Sequence, residues 1–157
     1  MDISFEYIRG LVDGEGSFTF HIGSKRPNGR KYKIPAFVIA MNMRDKELIK
    51  GVKDKLGIKS NICYRIPRVN IKNAKNDKLY TSGRQAILSV RDFTQLKDII
   101  IPCFYKKLKG YKGKQFIDWL EKIGSDPDVS DRFKSLYRLY RWGIYDKDLK
   151  FTEKFKD

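Results

Sequence analysis

Apolar residues recur at helical spacing over residues 3–13, where Ile3, Tyr7, Ile8, Leu11 and Val12 fall near one face. Gly14 and Gly16 follow, and they are expected to stop that helix. The period then changes. Over residues 17–22, Phe18, Phe20 and Ile22 alternate with Ser17, Thr19 and His21, the pattern of a strand buried on one side. Residues 24–31 combine Pro27, Asn28 and Gly29 with basic side chains and predict a turn. A second strand over 32–43 completes a long hairpin, with Phe37 and Ile39 expected inside.

Asp45 is the expected N-cap of a helix over 46–56, whose stripe is Leu48, Ile49, Val52 and Leu56 and whose stop is Gly57. Strands are predicted near 60–68 and 84–90, with Ile62 and Tyr64 inward and a basic loop over 70–78 between them. Helices are predicted at 92–101, 112–123 and 130–142, separated by Pro102 and by the Ser125–Pro127 segment. Trp119, Tyr137, Tyr140 and Trp142 are expected to pack in the core. The order αββαββα with further C-terminal helices indicates an α+β fold, one antiparallel sheet with helices on one side and an open face on the other. Residues 1–157 contain no linker long enough for a second domain, so a single domain is expected.

Charge changes this picture most. Thirty-four Lys and Arg against 19 Asp and Glu give a net charge of +15 over 157 residues. A field of that sign attracts polyanions, and nucleic acid is the expected partner. Cys63 and Cys103 are too few and too far apart for a disulfide framework and point to a reducing, intracellular compartment, either an organelle or a bacterial or phage cytoplasm. No apolar run approaches the ~20 residues of a membrane helix, and the first residues lack the layout of a signal peptide.

Candidate chemistry is concentrated in IRGLVDGEG, residues 8–16. Asp13 and Glu15 stand at the C-terminal end of an apolar helix, where partial negative charge and free carbonyls make acids unfavourable. A bound cation resolves that conflict. Carboxylate and carbonyl oxygens are the hard ligands Mg²⁺ prefers, and Mg²⁺ retains waters and accepts a substrate phosphate, as phosphodiester hydrolysis requires. Gly10 and Gly14, four residues apart, lie on one helix face with no side chain beyond hydrogen. Two copies of this helix could pair closely there and bring two Glu15 residues to a two-fold axis. Taken alone, DGEG is an ordinary acidic turn. Its apolar helix, the strand after it and the basic charge argue for function.

The segment YIRGLVDGEGSF resembles the signature of the LAGLIDADG homing endonucleases, and the likeness extends through both hairpins to KGKQFIDWLEKI. The resemblance implies an αββαββα fold whose saddle-shaped sheet lies in the DNA major groove. It also implies a homodimer, since the motif occurs once, cutting a long pseudo-palindromic double-stranded site in intron homing. By position, Glu15 matches the family's catalytic metal-binding acid and Gly14 the residue whose carbonyl helps bind metal. The implied cofactor is Mg²⁺, two or three ions per dimer, with Mn²⁺ as a substitute. Lys112 matches a basic residue near the scissile phosphate, with Lys114 as the competing register. Asp13 matches the motif's first acid, more often structural. The implied dimer interface is Ile8, Gly10, Leu11, Asp13 and Gly14, with Arg9, where the family favours a small residue, at its rim. Met41, with Asn42 beside it, departs from a polar residue found in some members.

On that footing Thr19, His21, Lys25, Arg26, Arg30, Tyr32, Ile34, Val38, Ala40, Asn61, Arg65, Arg68 and Arg84 are the candidate DNA contacts. Ile34, Val38 and Ala40 suit thymine methyls, while the basic side chains suit phosphate or guanine. His21 is read as DNA-facing rather than catalytic. Other readings are an intron maturase or a cleavage-inactive nucleic-acid-binding protein of the same fold. A generic basic RNA-binding protein leaves the acids of DGEG unexplained.

Overall fold

A computed structural model describes residues 1–66 and 83–157 of the chain. Helix α1 (Phe5–Glu15) starts at Ser4, whose hydroxyl accepts from the Tyr7 N–H at 3.0 Å. The Asp157 carboxylate caps the same end, accepting from the Phe5 amide at 2.7 Å and from the Glu6 amide at 3.0 Å. Negative charge suits a helix start, and the Glu6 and Phe5 amides hold the Asp157 carboxyl below its ordinary value of 3.8. The helix runs two residues further than its glycines suggest. It ends at Gly16, whose N–H reaches the Val12 carbonyl. A Cβ at Gly16 would lie 2.6 Å from Val12 Cγ1, so the sharp passage from helix to strand requires glycine.

Strands β1 (Gly16–Lys25), β2 (Lys31–Asn42), β3 (Ile62–Arg65) and β4 (Gln85–Val90) form an antiparallel sheet in the order β1-β2-β4-β3. The β1–β2 turn closes through Arg26 N–H to Arg30 O at 2.8 Å, with Gly29 at φ 83°. Pro35 lies in the half of β2 that β4 does not reach, since that ladder begins at Phe37, so its missing N–H costs no bond on the β4 side. Ladder parity puts Phe18, Phe20, Phe37, Ile39, Met41, Ile62, Ala86, Leu88 and Val90 on the inward face.

The helices pack on that face. They are α2 (Lys46–Leu56), α3 (93–104), α4 (Lys112–Ser125) and α5 (Asp131–Arg141), followed by the short α6 (Ile144–Lys147) and α7 (Leu149–Thr152). Phe116 meets Phe18 at 4.8 Å between ring centroids, and Phe104 stacks on Phe37 at 5.4 Å. Trp119 donates from Nε1 to the Thr19 carbonyl at 2.8 Å and so covers part of the open edge of β1. Buried residues from α1 through to Phe155 form one core.

The structure departs from the pattern-based expectations where local rules meet tertiary context. Pro102 does not separate helices: α3 continues through it, because the turn over Leu96–Ile100 widens to a π turn just before it. The wider turn relieves the crowding a proline imposes on the preceding carbonyls. Asp45 makes no side-chain cap for α2. A 3-10 turn (Met43–Asp45) leads into the helix instead, and Asn42 caps that turn by accepting from the Arg44 N–H at 3.0 Å. Ile22 and Tyr64 have inward parity, but they remain 57% and 48% exposed near the ends of the outer strands β1 and β3. Trp142 is 64% exposed rather than in the core, because α5 ends at Arg141. The helices over 144–152 are too short to announce themselves by periodicity.

Arg9 is the largest departure. It is 6% exposed and not at any rim. Nε donates to the Cys103 carbonyl at 2.9 Å and Nη2 to the Phe155 carbonyl at 2.8 Å, while Nη1 pairs with Glu6. A planar fork satisfies two buried carbonyls from different segments while a third nitrogen pairs with Glu6, a fixed geometry that the single ammonium of a lysine does not reproduce. We expect Arg9→Ala to lower unfolding free energy by about 3 kcal/mol in urea titration, since both carbonyls lose their donor. Arg9→Lys is expected to recover only part of that loss.

The Asp157 bonds also predict a pH dependence. A carboxyl whose value is depressed in the folded chain stabilises above its ordinary value and loses that contribution as pH falls through the folded value. Asp126 and Asp146, lowered by hydrogen bonds from Lys33 and Lys106, act in the same sense. Thermal melting is expected to weaken progressively below pH 4. The Asp157→Asn variant should melt lower than wild type at neutral pH and converge with it in acid.

Candidate nucleic-acid interface

The face of the sheet turned away from the helices follows from the register. Ser17 pairs with Val38, Thr19 with Ala36 and His21 with Ile34. Val38 pairs with Ser89, Ala40 with Ile87, and Asn42 with Gln85. Cys63 and Arg65 complete the set opposite Ile87 and Gln85. These positions share one face. Thr19, His21 and Arg65 are exposed, Ile34, Val38, Ala40 and Ile87 are half-buried, and Ala36 is buried. The middle of the face is therefore small and apolar, with polar and basic groups towards its ends.

Of the candidate contacts, Thr19, His21, Ile34, Val38, Ala40 and Arg65 lie on this face. Asn61 and Arg84 are exposed just before β3 and β4. Ser17, Gln85, Ile87 and Ser89 belong to it too, although they were not among the candidates. The alternation of Ala86, Leu88 and Val90 with Gln85, Ile87 and Ser89 carries that signal in the sequence. Lys25, Arg26, Arg30 and Tyr32 gather at the hairpin tip, with the Arg26 guanidinium over the Tyr32 ring. Arg30 is not a free cation. Its Nε and Nη2 reach Asp128 at 3.2 and 3.1 Å. Lys33 pairs with Asp126 at 2.7 Å, so the turn over 126–128 braces the hairpin. Arg68 lies outside the described residues.

At one end of the sheet stands the end of α1. The bond from Gly16 N–H to Val12 O is the last of the helix, which leaves the carbonyls of Asp13, Gly14 and Glu15 without intrahelical donors. Glu15 is exposed, and its carboxylate has no hydrogen bond or ion pair among the described residues. Asp13 differs: Oδ2 accepts from Lys109 N–H at 3.0 Å and Oδ1 from Gly110 N–H at 3.1 Å. Lys112, the first residue of α4, is half-buried with no side-chain partner among the described residues. Lys114 is exposed and pairs with Asp118 at 3.3 Å, one helical turn on.

The donor set at Glu15 fits a hard cation: a carboxylate with no partner among the described residues, beside carbonyls that lack intrahelical donors. Among the described residues no group of three or more His, Cys, Asp or Glu side chains converges. A cation at Glu15 would therefore need water, phosphate or a second copy of the chain to complete its ligands. Both thiols are free, and burial pushes that of Cys103 up to about 12.

The other face of α1 is open. Gly10 and Gly14 are exposed, and a Cβ on either would meet nothing within 4 Å. Tyr7 (51% exposed) and Leu11 flank them. Ile8, by contrast, is fully buried in the chain's own core, so its side chain cannot contact a second copy. Asp13 is committed to its two amides.

Three comparisons bear on this geometry. The LAGLIDADG endonuclease family model matches residues 8–123. Among curated proteins, none matches. Solved structures share the fold. LAGLIDADG meganuclease I-CpaMI bound to uncleaved DNA is 21% identical with a TM-score of 0.60, covering 93% of this chain and 45% of that one. The homing endonuclease I-LtrWI bound to target DNA is 24% identical with a TM-score of 0.56, covering 76% and 36%. The homing endonuclease I-TnaI is 19% identical with a TM-score of 0.50, covering 90% and 99%. This chain thus spans less than half the length of the first two and nearly the whole of the third. From its motif helix, its sheet and the match over residues 8–123, the chain belongs to the LAGLIDADG endonuclease family.

Proposed function

We propose that the chain is a site-specific double-strand DNA endonuclease that works as a homodimer through α1, each copy a single domain. The observation that carries this reading is the exposed Glu15, without a partner among the described residues, at the end of a helix whose outer face is glycine. In a chain of net charge +15, a carboxylate beside a polyanion-binding face serves no simple binding role. The DNA-bound relatives support DNA as the polyanion.

In this reading Glu15 and the Gly14 carbonyl hold Mg²⁺, or Mn²⁺ in its place, with two or three ions per dimer. The bound ion supplies an activated water and stabilises the leaving oxygen. Lys112, half-buried and without a partner among the described residues, places its ammonium towards the scissile phosphate, whereas Lys114 is already engaged by Asp118. The outer sheet face enters the major groove. Ile34, Val38 and Ala40 suit thymine methyls, while Thr19, His21, Asn61, Arg65 and Arg84 offer polar and basic contacts to base edges and phosphates. Lys25 and Arg26 grip the backbone from the hairpin tip, and Arg30 joins them only by leaving Asp128. Site-specific cleavage of this kind is the activity of intron homing.

Cleavage selection on a randomised duplex library with Mg²⁺ identifies the target. On that duplex, Glu15→Gln is expected to bind as wild type does and to lose at least about a hundredfold in cleavage rate. A near-wild-type rate would remove Glu15 from the mechanism. Tight binding by wild type with no cleavage under Mg²⁺ or Mn²⁺ would favour the maturase or cleavage-inactive reading.

Dimerisation has its own test. Gly10 has open space around it, so in the isolated chain Gly10→Leu should melt no lower than wild type, because leucine favours helix by about 0.8 kcal/mol over glycine. In a close helix pair the same side chain collides. Light scattering should report a dimer for wild type and a monomer for the variant. A monomeric wild type, on and off DNA, sinks the arrangement.

A further inference from the structure

Asp13 makes contacts that its place in the helix does not explain. It stands in the last turn of α1, where an acid opposes the helix dipole. No cation neutralises it within the described residues. Each of its oxygens instead takes one backbone amide from a segment almost a hundred residues away, Oδ2 that of Lys109 and Oδ1 that of Gly110. The approach is tight: a Cβ at Gly110 would sit 3.4 Å from Oδ1.

Gly110, so held, lies two residues before α4. The Gly110 carbonyl accepts from Gly113 N–H at 3.0 Å, and the Tyr111 carbonyl accepts from Lys114 and Gln115 at 3.0 and 3.2 Å. Gly113 in turn packs so close to Leu108 that an added Cβ would meet its carbonyl at 3.2 Å. One residue, Gly110, therefore joins the Asp13 carboxylate through its N–H to the first turn of α4 through its carbonyl. That first turn carries Lys112, while Asp13 is two residues from Glu15.

From this geometry we infer that Asp13 is the positioning residue of the site. By gripping the Lys109 and Gly110 amides it sets Lys112 at a defined distance from Glu15. The inference rests on the proposed cleavage function, in which Glu15 and Lys112 act on one phosphate. Asparagine at position 13 keeps the shape but offers one acceptor, and its amide donor opposes the second N–H.

The test is a double-mutant cycle of Asp13→Asn and Lys112→Met, read as single-turnover cleavage of the selected duplex with Mg²⁺. Asp13→Asn alone should bind DNA as wild type does and cleave at least tenfold more slowly. In the Lys112→Met background it should slow cleavage less than twofold further, since its effect passes through Lys112. Additive losses, or an unchanged rate for Asp13→Asn, would overturn the inference. If Asp13→Asn does not fold at the assay temperature, Asp13→Ser, which retains one acceptor, takes its place in the cycle. Failure of both to fold shows a purely structural acid and likewise overturns it. Glu15→Gln separates the two levels: if that variant cuts normally, the cleavage assignment fails, whereas additivity with Glu15 essential removes only the role of Asp13.

Discussion

The fork of hydrogen bonds from Arg9 is the constraint on which the placement of α1 depends. A guanidinium this deeply buried is tolerable only when its donors are used. Here they are, by the carbonyl at position 103 in α3, the carbonyl at 155 near the chain's last residues, and Glu6 within the helix. The Asp157 carboxylate then caps the first turn of the same helix, and Phe5 meets Phe155 edge-on at 5.5 Å. Segments separated by about 150 residues thus converge on one helix. The glycine-bearing face is left open: Gly10 and Gly14 are exposed, and a Cβ on either would meet nothing within 4 Å.

That arrangement gives two acids of one motif opposite fates. Asp13 points towards the loop before α4 and finds two amides. Glu15, two residues further on, is exposed and finds none among the described residues. The same partial negative charge of the helix end acts on both. Backbone donors offset it for Asp13, while for Glu15 no group among the described residues does.

The basic charge is also partitioned. Arg30 and Lys33 brace the hairpin against Asp128 and Asp126, and Lys106 pairs with Asp146, so part of the cationic excess is spent internally. Exposed pairs of this kind contribute little to stability, because water screens them. The geometric effect of the Arg30 and Lys33 pairs is larger, since they tie the hairpin to the turn over 126–128.

Periodicity and turn chemistry alone determined much of this protein. The switch from a 3.6 to a 2.0 repeat at Gly16 located α1 and β1, and Gly57, with φ 72°, ends α2 as its position suggests. The basic charge and the acids of DGEG marked the candidate chemistry before any fold was known. These signals are local, because a residue's period and conformational preference act over a few neighbours. What only the tertiary structure decided depends on contacts distant in sequence. It buried Arg9 and Ile8, carried α3 through Pro102, left Ile22, Tyr64 and Trp142 exposed, and engaged Arg30 with Asp128. Local alternation separates Gln85, Ile87 and Ser89 from Ala86, Leu88 and Val90, but only the pairing of β4 with β2, more than forty residues away, sets them beside Asn42, Ala40 and Val38. No local pattern carries the identity of a partner that far along the chain.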